Sequence, residues 1–422
     1  MITEIKWRIE QMRQGDIPAG YKKAASGIAP ANWKRYTLGD IYTERKESGD
    51  ENLPLLMVSI HSGVSDGEVD AAELPKQVKR IEDKSQYKKA VSGDLVFNMM
   101  RAWQGAIGTV RTTGMVSPAY IVAEPNDKAY PLFMDYYSRT PQMINQIDRQ
   151  SYGVTDFRKR LYWDSFAPIS CTLPPIAEQQ KIVAILTTQD KVIKLKEKRL
   201  AEKQRQKKYL MQQLLTGKKR LPGFSGEWKN IKLCEVLSER KEKNIEQNLR
   251  ICSVAVQKGV IDQIEHLGRS YAASDTSNYS VAHYGDIIYT KSPTGDFLYG
   301  IVKQNLLQET VAVSPLYGVF TPMTFGLGYF LHTYFQSAIC AQNYLLPIVQ
   351  KGAKNTINIT NDTFISSKLY LPLDVEEQKA IADTFIAADR EIELLQQDIE
   401  QEKQKKKALM QLLLTGIVRV KT

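Results

Sequence analysis

AEQQKIVAILTTQDKVIKLKEKRLAEKQRQKKYLMQQLLTG, residues 177–217, decides the fold. The stretch has no proline and no glycine before its last residue. Lys, Gln, Glu and Leu dominate it, and all are good helix formers. Apolar residues recur at gaps of four and three, at Ile182, Leu186, Ile193, Leu200, Leu210 and Leu214. Gln189, Lys196, Lys203 and Lys207 fill the missing steps of the same seam. Such spacing is the heptad seam of a coiled coil, weakened in the middle. About 40 residues at 1.5 Å each make a rod of roughly 60 Å, which cannot bury its seam against itself.

The same chain supplies a partner. Residues 376–416, EEQKAIADTFIAADREIELLQQDIEQEKQKKKALMQLLLTG, repeat the pattern at a shift of 199. Their seam runs through Ile381, Phe385, Ala388, Ile392, Leu395, Ile399, Glu402, Lys406, Leu409 and Leu413. The ends agree nearly letter for letter, LMQQLLTG (210–217) against LMQLLLTG (409–416), and Glu178-Gln179 matches Glu377-Gln378. The charges do not repeat: 178–220 carries a net +9 and 376–419 a net −2. Unequal flanks on matching seams suit pairing of one helix with the other.

The globular parts repeat too. Trp33-Lys34 matches Trp228-Lys229, and Glu44-Arg45-Lys46 matches Glu239-Arg240-Lys241. Gly93-Asp94 matches Gly285-Asp286, each before an apolar strand, and Val116-Ser117-Pro118 matches Val313-Ser314-Pro315. Phe166 and Leu173-Pro174 match Phe364 and Leu371-Pro372. Short β-branched and aromatic runs (Leu55–Ile60, Leu95–Phe97, Ala106–Val110, Ala119–Val122) alternate with turn residues, and helix-like stretches lie near 131–147. The expected fold class is α+β: two tandem mixed α/β domains separated by two long helices that pair as an antiparallel coiled coil, with a pseudo-two-fold internal repeat. The expected segments are 1–32, with a short helix from Ile5 to Met12, closing the pseudo-symmetric ring; 33–172, the first domain; 173–217, the central helix; 218–370, the second domain; and 371–422, the C-terminal helix.

Composition bounds the rest. The chain has 422 residues, with 43% apolar and 25% charged, as in ordinary globular proteins. No apolar run of membrane-spanning length occurs, and MITEIKWRIEQMRQ lacks a signal-peptide core. Cys171, Cys234, Cys252 and Cys340 are widely spaced, which points to free thiols in a reducing cytoplasm. The net charge of +10 lies mainly on and just after the first long helix, a distribution that admits nucleic acid as a partner.

Catalytic signatures are missing. There is no GxxxxGK[ST] phosphate loop, and the lone Pro-Pro, Pro174-Pro175, precedes Ile176 rather than an aromatic residue. His61, His266, His283 and His332 have no metal-ligand spacing. Phe325-Gly326-Leu327-Gly328 reads as a turn before a helix rather than a cofactor loop. Glu44-Arg45-Lys46 and Glu239-Arg240-Lys241 read as salt-bridged scaffold rather than a nuclease ExK. No catalytic or metal-ligating residue is expected.

LPPIAEQQKIV (173–183), its degenerate copy LPLDVEEQKAI (371–381), both LMQxLLTG ends and the two Gly-Asp pairs resemble the specificity (S) subunit of a Type I restriction–modification system, over nearly the whole chain. The resemblance implies two target-recognition domains, each docking on one half of a split duplex DNA sequence. It implies two methyltransferase (M) subunits on the helices and translocase–endonuclease (R) subunits for cleavage. S-adenosylmethionine, ATP and Mg are then expected on those partners, with no cofactor in this chain. The second copy departs from the LPP motif, and Asp374-x-x-Glu377 offers a capping box instead.

Candidate DNA-reading residues lie in loops where the copies diverge. NMMRAWQG (98–105) supplies Arg101, Trp103 and Gln104, against Lys291, Ser292 and Thr294 in TKSPTGDF (290–297). Arg suits guanine and Gln suits adenine. YGVTDFRKR (152–160) supplies Arg158, Lys159 and Arg160, against Lys351, Lys354 and Asn355. His61 and Ser62 stand opposite Gln257 and Lys258. Leu210, Met211, Leu214 and Leu215, with Leu409, Met410, Leu413 and Leu414, form clusters wider than a two-helix seam uses, so they are the expected partner-binding surface. The rival readings are a structural adaptor whose domains bind proteins, which would lack salt-dependent retention on duplex DNA, and a fused enzyme, disfavoured by the missing motifs.

Overall fold

The computed structural model describes residues 2–24, 27–67, 83–153, 158–351 and 357–421. The chain divides into two compact units: Met1–Leu195 with Ile399–Thr422, and Lys196–Asp398. In chain order, unit 1 contains helices α1 (Ile2–Gln14), α2 (Pro131–Tyr137), α3 (Pro141–Gln150) and α4 (Trp163–Phe166). Helix α5 (Ile176–Leu214) follows and is shared by both units. Unit 2 contains α6 (Gln263–Leu267), α7 (Phe325–Tyr334), α8 (Ala338–Leu345) and α9 (Asn361–Ser366), and α10 (Val375–Leu414) is again shared.

One frame is built twice. In unit 1 an antiparallel sheet orders Tyr42–Glu44, Tyr120–Pro125, Leu95–Asn98 and Ile107–Thr109. In unit 2 the same order returns as Leu237–Glu239, Gly318–Pro322, Ile287–Tyr289 and Val302–Gln304. Lys34–Thr37 pairs with Ser170–Leu173, and Lys229–Lys232 with Lys368–Leu371, so each domain closes before its long helix begins. A further sheet of unit 2 orders Gly259–Asp262, Arg250–Ala255, Val311–Val313 and Ser280–Ala282, with one parallel pairing. Unit 1 holds its counterpart as two strand pairs joined by a parallel bridge, Leu55 to Met115. The run expected at Leu55–Ile60 is strand only at Val58–Ser59.

The repeated letters of the sequence are the bonds of this frame. Arg45 donates to both carboxylate oxygens of Asp94, at 2.7 and 3.2 Å, and Arg240 to those of Asp286, at 2.6 and 3.2 Å. Both aspartates are almost completely buried, so each ion pair locks strand entry to strand entry. Phe166 packs on Phe97 at 4.6 Å between centroids, and Phe364 on Tyr289 at 4.4 Å. The expected scaffold role of the Glu-Arg-Lys repeats is therefore visible in both arginines.

The long helices meet antiparallel within each unit. In unit 1, Gln189 donates to the Glu402 carboxylate and Lys406 pairs with Asp190 at 2.5 Å. In unit 2, Lys196 pairs with Asp398 at 2.7 Å, Lys203 with Glu391 at 2.9 Å, and Lys207 with Asp389. Each polar step that weakens the seam of α5 thus finds an acid on α10, which explains the opposite charge of the two helices. Apolar steps fill the remainder: Ile182, Leu186, Ile193, Ile399 and Leu413 are buried in unit 1, and Ile381, Phe385 and Leu395 in unit 2.

Two expectations change. Phe325-Gly326-Leu327-Gly328 is the first turn of α7, not a turn before it. Its glycines are there for close approach: a Cβ on Gly326 would come 2.9 Å from the α10 backbone, and one on Gly328 2.3 Å from the Gln304 amide. Asp374 caps α10 as expected, accepting from Glu376 N at 2.9 Å. Glu377, however, faces Trp228 and Arg220, so that contact, not a capping box, accounts for its side chain.

Candidate nucleic-acid interface

In unit 1 the three divergent segments share one surface. After the strand Leu95–Asn98, Asn98 Oδ1 accepts from Met100 N at 3.0 Å, and the turn Ala102–Gln104 closes on Gly105 at φ 101°. A Cβ on Gly105 would lie 3.4 Å from the Ile60 carbonyl, which places the His61-Ser62 turn against this loop. Ser59 Oγ accepts from His61 N at 3.1 Å, and Arg139 donates to the His61 carbonyl at 3.4 Å. Leu161 N donates to the Met99 carbonyl at 2.8 Å, and Tyr152 and Arg160 exchange backbone bonds at 3.1 and 2.8 Å. The two ends of this segment, at Tyr152 and Arg160, are therefore held together next to the 98–105 loop.

The same contacts sort the candidates. Trp103 is half-buried, and its Nε1 donates to the Met100 carbonyl at 3.0 Å. Lys159 pairs with Asp148 at 2.9 Å and lies over the Trp103 ring at 5.8 Å. Both residues shape the loops from within. Arg101, Gln104, Arg158 and Arg160 are exposed, and among the described residues the three arginines have no ion pair. Sequence reasoning missed Met100 and Tyr152, 46% and 60% exposed, which put apolar surface among these cations. Tyr152 packs at a tilt against Tyr162, 5.4 Å between ring centroids, and two aromatics ten residues apart give no signal of that contact.

In unit 2 the equivalent loop leaves the strand Ile287–Tyr289 at Thr290, which bonds Ile301 in both directions at 3.0 Å. Lys291 follows with φ 59°, a left-handed conformation that side chains with a Cβ rarely take. A Cβ on Gly300 would lie 2.8 Å from Lys291 N, so the loop is pinched at its base. Burial lowers the pKa of the Lys291 ammonium, against an opposing pull from Glu239. Thr294 and Phe297 exchange backbone bonds at 3.0 Å, and Ser292 and Thr294 are exposed at the tip. Gln257 and Lys258 are exposed at the turn between Arg250–Ala255 and Gly259–Asp262. Lys351 lies in a short strand paired with Ile357–Asn358, while Lys354 and Asn355 fall outside the described residues.

The leucine clusters face inward. Leu214 and Leu215 are each 5% exposed in the core of unit 2, with Leu210 and Met211 packed against it. Leu413 and Leu414, 3% and 2% exposed, take the same place in unit 1, with Leu409 and Met410 beside them. The apolar width beyond the seam is used to seat each helix end on a domain, so it is not surplus surface. This removes the reason for expecting the partner there.

Residues 226–404 match the family model of the Type I restriction modification DNA specificity domain. The chain is 23% identical over 372 residues to the Type I restriction enzyme MjaVIII specificity subunit of Methanocaldococcus jannaschii, covering 80% of this chain and 83% of that protein. Its fold is similar to the S subunit of a Type I restriction-modification system from M. genitalium, with TM-score 0.53 and 10% identity over 93% of this chain and 97% of that one. A structure from work on complex assembly and conformational transition of the type I R-M system matches with TM-score 0.51 and 17% identity, over 92% and 99% of the two chains.

Proposed function

We infer that this chain, whose residues 226–404 match the DNA specificity domain of Type I restriction–modification systems, works as the specificity subunit of such a system. It recognises DNA. Each unit reads one half of a split duplex target through its own divergent loops, and the paired helices set the gap between the halves. The observation that carries this reading is the contrast between one bonded frame, built twice, and candidate reading loops whose sequences diverge between the copies.

The chain itself is a targeting subunit without catalysis. Methyltransferase subunits carry out adenine methylation, translocase–endonuclease subunits carry out ATP-dependent cleavage, and S-adenosylmethionine, ATP and Mg sit on those partners, in the cytoplasm. What supports this is the residue content: no phosphate loop and no methyltransferase amine-binding motif in the sequence. Mapping adenine methylation in cells that carry this gene with its partner genes tests the reading. A split target that disappears with this gene is expected. Methylation that persists without it, or purified chain that turns over substrate, overturns the assignment.

A further inference from the structure

In unit 2 the face of α5 toward α10 is marked by Lys196, Lys203 and Lys207 and their acid partners. At 3.6 residues per turn, Lys198 and Arg205, each two residues past a seam position, point to the opposite side, and Lys208 lies beside them. All three are exposed, with Ala201 in the turn between. None has an ion pair among the described residues, and Glu202, exposed next to them, pairs with none of them. The outward positions of α10 differ. There Gln397 donates to Glu393 and Gln404 to Glu400, each at 3.2 Å, so that face satisfies itself.

We propose that Lys198, Arg205 and Lys208 form a phosphate-binding face for the backbone of duplex DNA in the gap between the two half-sequences. Three cations share this face with one acid, Glu202, and among the described residues no ion pair joins it to any of them, so most of their mutual repulsion stands. Lys is depleted in the cores of protein–protein interfaces, whereas Lys and Arg contacts to phosphate position a duplex without reading it. Seven residues of helix span about 10 Å, close to three base-pair steps. Long flexible heads on a helix carry no base code, so the DNA they suit is the unread stretch. The assignment rests on the DNA-recognition reading above.

The test uses the full chain assembled with its methyltransferase partners and a duplex bearing the mapped target. Affinity is measured against salt for the wild type and for K198Q/R205Q/K208Q, on normal DNA and on DNA with uncharged methylphosphonate linkages in the gap. Three lost phosphate contacts reduce the log–log salt slope by about 2.7. Neutral linkages should weaken the wild type and leave the variant unaffected, with the target sequence unchanged. Equal slopes, with both proteins weakened alike by the neutral linkages, overturn the proposal. So does a variant that no longer retains its methyltransferase partner, which would assign the face to a protein. A wild-type complex that fails to distinguish target from shuffled DNA defeats the recognition reading itself, and this face with it.

Discussion

Arg419 holds Glu178 across 241 positions of sequence, its Nε and Nη2 donating to the two carboxylate oxygens at 2.6 and 2.8 Å. Trp33 Nε1 donates to the same carboxylate at 3.3 Å. In unit 2, Arg220 and Trp228 hold Glu377 in the same way. Each arginine lies three residues past the glycine that ends a long helix, and each of those glycines faces the tryptophan of its unit. Unit 2 takes its arginine from just upstream. Unit 1 takes it from residue 419, after the second long helix.

Replacing Arg419 by Ala should therefore weaken unit 1 selectively. Glu178 is 1% exposed, and a buried carboxylate left without its cation is costly. Arg419 is itself one-third exposed, so about 2 kcal/mol is expected rather than the full buried-pair value. Limited proteolysis would show cleavage in 33–172 first. Glu178→Gln in the same variant should recover part of the loss.

Lys303 gives unit 2 a dependence on alkaline pH. It is 4% exposed, and burial, helped by Lys207, pushes its pKa down to about 8 from the ordinary 10.5. The fold prefers the neutral amine, so this site's contribution is fully favourable above pH 10.5, shrinks as pH falls toward 8, and stays low below that. Lys303→Met should gain about 3 kcal/mol over the wild type at pH 7, with the gain fading toward pH 10.5. Denaturant titrations at both pH values check this. A pH-independent difference would rule out titration of Lys303 as its source.

Lys291 links strain to recognition. Glycine there should stabilise unit 2 by about 1 kcal/mol, because a left-handed residue with a Cβ costs about that much. The same change should degrade methylation at the second half-sequence alone, and Arg101→Ala at the first alone. Each lost base contact is worth about 1–3 kcal/mol of discrimination. Loss in both halves from either variant would contradict separate reading.

Leu215→Asp should unfold unit 2 rather than simply release a partner. Even Leu215→Ala should cost about 2–5 kcal/mol, as for other buried leucines. Circular dichroism and co-purification of the methyltransferase subunit, measured together, separate the two effects.

Gap length is best tested by adding a heptad to both long helices, about 10 Å or three base pairs. Inserting four residues after Thr216 is a poorer test, because Gly217 abuts Trp228 and Arg220 grips Glu377 just beyond it. A longer unread gap with unchanged half-sequences is expected from methylation mapping. An unchanged gap would place the ruler elsewhere.

The heptads at 177–217 and 376–416 and the paired letters at Arg45, Asp94, Trp33 and Glu178 were legible, because periodicity and repetition are one-dimensional signals. Arg419 as the partner of Glu178 has only a faint signal, the arginine three residues past the glycine at both helix ends, which lies beyond the letter-for-letter repeat LMQxLLTG. The burial of Leu214 and Leu215 against a domain is not legible, because heptad phase does not say whether an extra apolar residue faces a domain or solvent. The pairing of Lys159 with Asp148, and the left-handed turn at Lys291, depend on loop geometry that no periodicity encodes.

Tyr136 donates to Asp190 at 2.6 Å while Lys406 grips the same carboxylate, and Tyr329, Asp389 and Lys207 repeat this in unit 2. One aspartate on a long helix thus fastens both a domain and the opposite helix. A transplanted domain that presents a tyrosine at this point meets the same socket whatever its loops contain. Such a joint suits inheritance by recombination: a whole domain is exchangeable in a single event, with its loops, without altering the paired helices.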